Sequence, residues 1–165
     1  MSNTHEADSD ERKVVTFTLD NQMFGIDMTA LIEIREWEEP TPLPGVPSFI
    51  KGVINLRGSV VPVVGLAERL GWTPSALHAR SCVLVVSIDD KQCGFLIDQL
   101  ADIVVIDTKE IQPAPAMDLA DENVISGLAR IERRAMEKDE ETEAMVLLLD
   151  IEALSLTRHL VDLAA

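Results

Sequence analysis

Val14-Val15-Thr16-Phe17-Thr18-Leu19-Asp20-Asn21-Gln22-Met23-Phe24-Gly25-Ile26-Asp27 reads as a β-hairpin. β-Branched and aromatic residues fill its first arm from Lys13 to Leu19, Asp20-Asn21 marks a tight turn, and Phe24-Gly25-Ile26-Asp27 forms the returning arm. The pattern returns in Cys82-Val83-Leu84-Val85-Val86-Ser87-Ile88, then Asp89-Asp90, then Cys93-Gly94-Phe95-Leu96-Ile97. At an offset of 69, Asp20 matches Asp89, Gly25 matches Gly94, Leu31 matches Leu100 and Ile34 matches Ile103, with Thr18/Ser87, Leu19/Ile88 and Glu33/Asp102 as close substitutions. The chain therefore carries an internal repeat.

Working outward, the correspondence continues with small changes of offset. Pro42-Leu43-Pro44 answers to Pro113-Ala114-Pro115, Ile50-Lys51-Gly52-Val53 to Ile125-Ser126-Gly127-Leu128, and Val61 to Leu66 to Val146 to Ile151. Strand signals fall at 13–19, 23–27, 31–36, 50–56 and 60–64 in the first half, and at 81–88, 92–98, 101–106, 124–131 and 144–150 in the second. Short strands joined by tight turns, with no helix between them, predict a mostly all-β fold of two small five-stranded barrels that close to remove exposed edges. Helix is expected only at a short linking segment, Leu66 to Leu70 stopped by Gly71, and at the C-terminus. There Ala153, Leu156, Leu160 and Leu163 recur at helical spacing and would lay an apolar face on one barrel.

A chain of 165 residues, 47% of them hydrophobic, is long enough for such a core. Its formal charge of −15 argues against nucleic acid as a partner, because following a phosphate backbone depends on Lys and Arg displacing counterions. About half of that excess lies in two segments: Glu6, Asp8, Asp10 and Glu11, and the run Glu137 to Glu143. The longest uncharged stretch, Pro40 to Ile50, carries four prolines, so neither a membrane span nor a signal peptide is expected, and a cytoplasmic protein is. Cys82 and Cys93 lie too far along their hairpin to bridge and are expected as reduced, buried thiols.

No residue pattern announces catalysis. His5, His78 and His159 lack a second ligand at metal-site spacing, and nucleophile-elbow and phosphate-loop motifs are absent. No cofactor, metal or catalytic residue is therefore expected. The most unusual local chemistry is Asn55-Leu56-Arg57-Gly58, set between two apolar strands. Gly58 can take a positive φ and Asn55 can bond its own backbone, which specifies a turn that projects Arg57, a guanidinium suited to holding a carboxylate or carbonyl in fixed geometry. In Leu31-Ile32-Glu33-Ile34-Arg35, a strand puts Leu31, Glu33 and Arg35 on one face and Ile32 and Ile34 on the other. The expectation is that Glu33 pairs with Arg57 and shapes a groove with an apolar centre and a charged rim.

With these runs in view, the sequence resembles the CheW family of chemotaxis coupling proteins. The resemblance extends from about Val14 to Leu156 and rests on Phe24-Gly25-Ile26-Asp27, Glu33-Ile34, Pro47 followed by Phe49-Ile50-Lys51-Gly52-Val53-Ile54-Asn55-Leu56-Arg57-Gly58, Val61-Pro62-Val63, and Ile111 followed by Pro113 and Pro115. It implies two intertwined SH3-like barrels with a hydrophobic groove between them. Residues 1–12 would then be a disordered acidic tail, and residues 13–165 a CheW-like domain built from about 13–70 plus C-terminal packing and about 80–150. It also implies a non-catalytic adaptor joining the cytoplasmic tips of methyl-accepting chemoreceptors to the regulatory domain of the chemotaxis histidine kinase. Such an adaptor is recruited to receptor arrays without membrane insertion and is monomeric alone. The positions carried over as partner-binding are Leu31, Glu33, Ile34, Gly52, Asn55, Arg57 and Gly58.

Two departures from the family pattern bear on partner choice. Members often carry an Asp where this chain has Gly65, as its own second half does at Asp150, and the segment between Arg130 and Glu143 reads as a long charged loop. A coupler of a non-flagellar chemosensory pathway, such as one for surface motility, is the alternative reading.

Overall fold

A computed structural model of the chain describes residues 11–72, 77, 79–113, 124–134 and 141–155. In chain order the strands are β1 (Glu11–Leu19), β2 (Gln22–Asp27), β3 (Leu31–Glu36), β4 (Ile50–Leu56), β5 (Ser59–Gly65), β6 (Cys82–Ile88), β7 (Lys91–Ile97), β8 (Gln99–Asp107), β9 (Ile125–Arg134) and β10 (Glu141–Leu149). Two short helices, α1 (Leu66–Arg69) and α2 (Ile151–Ser155), follow β5 and β10.

The strands form two five-stranded sheets, ordered β8-β1-β2-β10-β9 and β3-β6-β7-β5-β4. Neither sheet is a contiguous half of the chain, so the division into halves of about 13–70 and 80–150 does not describe the two barrels. The first hairpin leaves its own half to pair with β8 and, in parallel, with β10; the second hairpin pairs with β3 and, in parallel, with β5. The barrels are intertwined by this exchange.

The exchange explains why the hairpin arms are so apolar. In β1, Val15, Phe17 and Leu19 enter a large core shared by both sheets, while Val14 enters the interior of one barrel. In β6, Cys82, Leu84, Val86 and Ile88 enter the shared core, while Val83 and Val85 fill the other barrel. A strand buried on both faces reads as a near-continuous hydrophobic run. Both hairpins turn through two residues with matching φ values, 49° and 65° at Asp20-Asn21 and again at Asp89-Asp90, the left-handed pair that suits the twist of the flanking strands. Cys82 and Cys93 are buried and unbridged. Cys93 faces Val86 in the ladder, four residues along β6 from Cys82, or ~13 Å at strand rise.

Among the described residues, one bridge outside the strands draws each sheet closed. Thr41, just beyond β3, exchanges two backbone hydrogen bonds with Val53 of β4 at 2.8 and 2.9 Å, and Gln112 does the same with Leu128 of β9 at 2.8 Å each. Next to each bridge lies a glycine where a side chain would not fit. A Cβ at Gly52 would lie 2.2 Å from the Thr41 carbonyl oxygen, and one at Gly127 would lie 2.5 Å from a methyl of Ile111.

α1 ends as expected at Gly71, with φ of 88° and the paired bonds Gly71 N to Glu68 O and Trp72 N to Ala67 O at 3.0 and 2.9 Å. α2 is described only to Ser155, and its Ala153 and Leu154 are buried against the shared core; the expected Leu156, Leu160 and Leu163 lie outside the described residues. Two boundaries differ from expectation. β1 begins at Glu11, because Glu11 and Arg12 pair with Asp107 and Ile106, so only residues 1–10 of the expected tail lie outside the described part. The segment 130–143 is not simply a loop. The pair Leu56↔Ser59 ends the β4–β5 ladder, whereas the matching pair Ile131↔Ala144 is followed by Glu132↔Glu143, Arg133↔Thr142 and Arg134↔Glu141.

Candidate docking site on β3 and the β4–β5 turn

The β4–β5 turn follows from its sequence. Arg57 at φ 51° and Gly58 at φ 86° make a two-residue connection, and the Gly58 amide donates to Asn55 Oδ1 at 2.9 Å. Asn55 thus braces the turn from its first corner, Gly58 supplies the left-handed step, and Arg57 projects into solvent with 69% of its side chain exposed. Gly58 has open space around it, so its role here is conformational.

β3 supplies the other wall. Its burial alternates as the sequence predicts: Leu31, Glu33 and Arg35 are partly buried, whereas Ile32 and Ile34 are 41% and 42% exposed. Leu31 packs on the shared core. A bulge between Leu31 and Glu33 adds Ile32 as an extra residue opposite β6. Beyond it, Glu33 meets the turn: Arg57 Nη1 lies 2.8 Å from Glu33 Oε1, and Arg35 Nη1 donates to Glu33 Oε2 at 3.4 Å. The Arg57 contact is an ion pair by distance, without an aligned hydrogen bond at Oε1.

The expected Glu33–Arg57 pair is therefore present, and it ties β3 to the hairpin β4–β5 at the far side of the sheet. Six of the seven predicted residues lie on these two elements at or near the surface. Gly52 differs: it is buried at the barrel seam, and its missing side chain admits the Thr41 backbone, so it shapes the site from beneath. Val60, 56% exposed and opposite Asn55 in the ladder, adds an apolar residue that sequence reading missed. The break in the Ser59-Val60-Val61 alternation was its available signal. An exposed pair of this kind contributes ~0.2–1 kcal/mol, too little to decide stability, so its value is in orienting Arg57.

A second depression, of about 380 Å³, lies between the sheets and is lined by Arg12, Asp27, Ser87, Ser126 and Asp150 among others. It is polar and contains none of the seven predicted residues. At its edge burial disfavours the charged form of Asp27, but hydrogen bonds from the Thr29 amide and hydroxyl, with the Arg12 guanidinium 3.1 Å away, outweigh this and hold the carboxyl below its usual range. Lys51 forms a further pair with Glu68 of α1. Among the described residues no cluster of His, Cys, Asp and Glu is placed to hold a metal ion. Apolar Ile32, Ile34 and Val60, with Glu33, Arg35 and Arg57 as charged groups, are the chemistry of recognition between proteins.

The model of the CheW-like domain matches residues 13–158. This chain belongs to the CheW-like family. A probable chemotaxis protein CheW of Rhizobium etli is 33% identical over 145 residues, covering 87% of each chain. The chemotaxis protein CheW of Klebsiella aerogenes is 32% identical over 145 residues, covering 87% of this chain and 81% of that one. In three dimensions the chain superposes on the crystal structure of a scaffolding protein, TtCheW from Thermoanaerobacter tengcongensis, with a TM-score of 0.74, 27% identity and coverage of 87% and 86%. The CheW-like chain is accordingly a scaffold adaptor of chemotaxis signalling, with two SH3-like barrels. No helix among its described residues is long and apolar enough to cross a membrane.

Proposed function

We propose that this CheW-like chain binds the cytoplasmic tip of a methyl-accepting chemoreceptor and the regulatory domain of the chemotaxis histidine kinase at once, without catalysing a reaction. Receptor contact is assigned to β3 and the β4–β5 turn, through Leu31, Glu33, Ile34, Asn55, Arg57 and Gly58, with Gly52 shaping the seam behind them. The observation that carries this is the Glu33–Arg57 pair, which holds an exposed guanidinium against β3, the strand that also exposes Ile32 and Ile34. The chain is a monomer in the cytoplasm and gathers at receptor arrays only through these contacts, which are weak singly and strengthened by multivalency.

Co-sedimentation of the full chain with receptor-containing membranes and kinase tests the reading. Arg57→Glu and Glu33→Arg should each lower recovery in the pellet, and the double exchange should restore part of it. Additive losses would refute the pairing as part of the docking site; absence of a kinase-dependent ternary complex would refute the adaptor reading itself. Sedimentation as a stable homodimer at micromolar concentration would overturn the monomer.

A further inference from the structure

A slip in the β8 ladder decides which of its side chains share a face. From Asp107 back to Ile103 its residues pair one for one with Glu11 to Val15 of β1, but the next pair is Phe17↔Leu100, so Ala101 and Asp102 together stand opposite Thr16. Two residues against one make a β-bulge. Had the pairing run on without it, Ala101 would stand opposite Phe17, and Leu100 opposite Thr18 on the other face. With the bulge, Leu100, Ile103 and Val105 lie opposite Phe17, Val15 and Lys13 on one face, and they are 36%, 48% and 55% exposed. The slip lines up three large apolar side chains in a row that an alanine would otherwise cut short.

Thr16 is the residue that meets the slip from β1. Its side chain is buried, and its hydroxyl donates to the Asp102 carbonyl at 2.7 Å and accepts from the Asp102 amide at 3.0 Å. One side chain thus supplies the backbone bonds that a bulge gives up. The matching bulge in β3 faces Val85, which has no hydroxyl, but there Leu31 packs on the shared core and its burial holds the strand. Leu100, the counterpart of Leu31, is exposed, so burial holds β8 less. The one acid within the row, Asp102, is turned back on its own strand, its Oδ1 accepting from the Ile103 amide at 2.7 Å.

The row is continuous with the site on β3. The Leu100 backbone hydrogen-bonds the Cys82 thiol, and Cys82 faces Glu36, the last residue of β3, in the β6 ladder. We propose that Thr16 is a positioning residue: its hydroxyl fixes the register of β8 across the bulge and so presents Leu100, Ile103 and Val105 to the receptor segment that meets β3. This rests on the receptor-contact reading above. The occupant is an apolar stretch of that segment ~16 Å long, the span of the row at strand rise.

Amide hydrogen exchange on the full chain, together with binding to a receptor cytoplasmic fragment, tests this. Thr16→Val keeps the shape of the side chain and removes the hydroxyl. Exchange of the Asp102 and Ile103 amides should speed about tenfold and binding should weaken, while residues 32–34 exchange as before. Thr16→Ser, which keeps the hydroxyl, should restore both. Moving the large side chain by one position, Leu100→Ala with Ala101→Leu, changes only exposed residues and decides the matter if Thr16→Val does not fold: binding should fall as far as in Leu100→Ala alone. Unchanged exchange at Asp102 in Thr16→Val, equal acceleration at 32–34, or failure of Thr16→Ser to rescue overturns the role of Thr16. Faster exchange with binding intact, or full binding by the variant with the two side chains exchanged, overturns the row as a contact. A wild-type chain that does not bind the fragment refutes the receptor-contact reading instead, and the exchange rates still decide whether Thr16 fixes the register.

Discussion

Replacing Gly52 by alanine should damage the fold more than any other single added methyl at a seam or turn glycine. The new Cβ would sit 2.2 Å from the Thr41 carbonyl oxygen and 2.7 Å from its carbon, both backbone atoms that cannot swing aside, and φ at Gly52 is 143°, a conformation that L side chains rarely adopt. Relief requires opening the Thr41–Val53 bridge, which loses two backbone hydrogen bonds at ~0.5–1.5 kcal/mol each, and holding alanine at that φ adds ~1 kcal/mol or more. The sum is about 2–4 kcal/mol, a large share of the ~5–15 kcal/mol that a domain typically possesses. In a domain of this size it corresponds to a fall in Tm of roughly 5–15 °C. Two companions calibrate it. Gly127→Ala meets the Ile111 Cγ2 methyl at 2.5 Å and, less closely, the Gln112 carbonyl oxygen at 3.2 Å, without a positive φ, and should cost about 1–2 kcal/mol, while Gly58→Ala has nothing within 4 Å and should cost only its backbone strain, ~1 kcal/mol. Urea unfolding followed by circular dichroism measures all three. If Gly52→Ala falls no further than Gly58→Ala, with equal denaturant slopes, the seam is not what closes the barrel.

Three other outcomes are expected. Burial pushes the Cys93 thiol up to about 12 and raises that of Cys82, so neither should be alkylated by iodoacetamide at pH 8 until the protein unfolds, with Cys93 protected at least as strongly as Cys82; a mass shift in native protein within minutes would contradict this. Asp27 has a lowered folded pKa, so its contribution is complete above the ordinary carboxylate value of 3.8 and is lost as pH falls through the folded value; the stability gap between wild type and Asp27→Asn in urea titrations should therefore be constant near neutrality and close only below about pH 4. Gly65 precedes α1 without a side-chain cap, and a Cβ there would lie 2.6 Å from Glu68 Oε1, whereas Asp150 caps α2 by accepting from the Glu152 and Ala153 amides at 3.0 and 3.2 Å. Gly65→Asp should therefore destabilise alone, yet stabilise a Glu68→Ala background by a few tenths to ~1 kcal/mol, as calorimetric melting would show.

Strand positions were readable along the chain because each strand's burial pattern is local. The apolar runs of β1 and β6, the Asp20-Asn21 and Asp89-Asp90 turns and the Asn55 to Gly58 corner all depend on neighbours a few residues away. The Glu33–Arg57 pair was legible for the same reason, since the strand alternation puts Glu33 on one face and the turn projects Arg57. The exchange of hairpins between sheets was not, because β1 against β8 and β6 against β3 are pairings between distant segments whose side chains suit either partner equally well. Repeat symmetry even misled: two similar halves suggest two separate barrels, and only the resemblance to a known family pointed to intertwining. That Gly52 admits the Thr41 backbone was not legible either, because a glycine in a motif does not reveal whether it admits a ligand or another backbone.

The crossed hairpins have a consequence for how the chain can come apart. Neither stretch, residues 11–72 nor residues 79–155, contains a closed barrel, since each gives two strands to the other's sheet and receives two in return. Expressed separately, each stretch would expose a broken sheet; mixed, they should recover both barrels together or neither, as a swapped dimer does. A repeat unit that completes itself only by exchanging arms with a copy is what remains when such a dimer is joined into one chain. On this view the central core is built like a subunit interface, with one hairpin from each stretch crossing it.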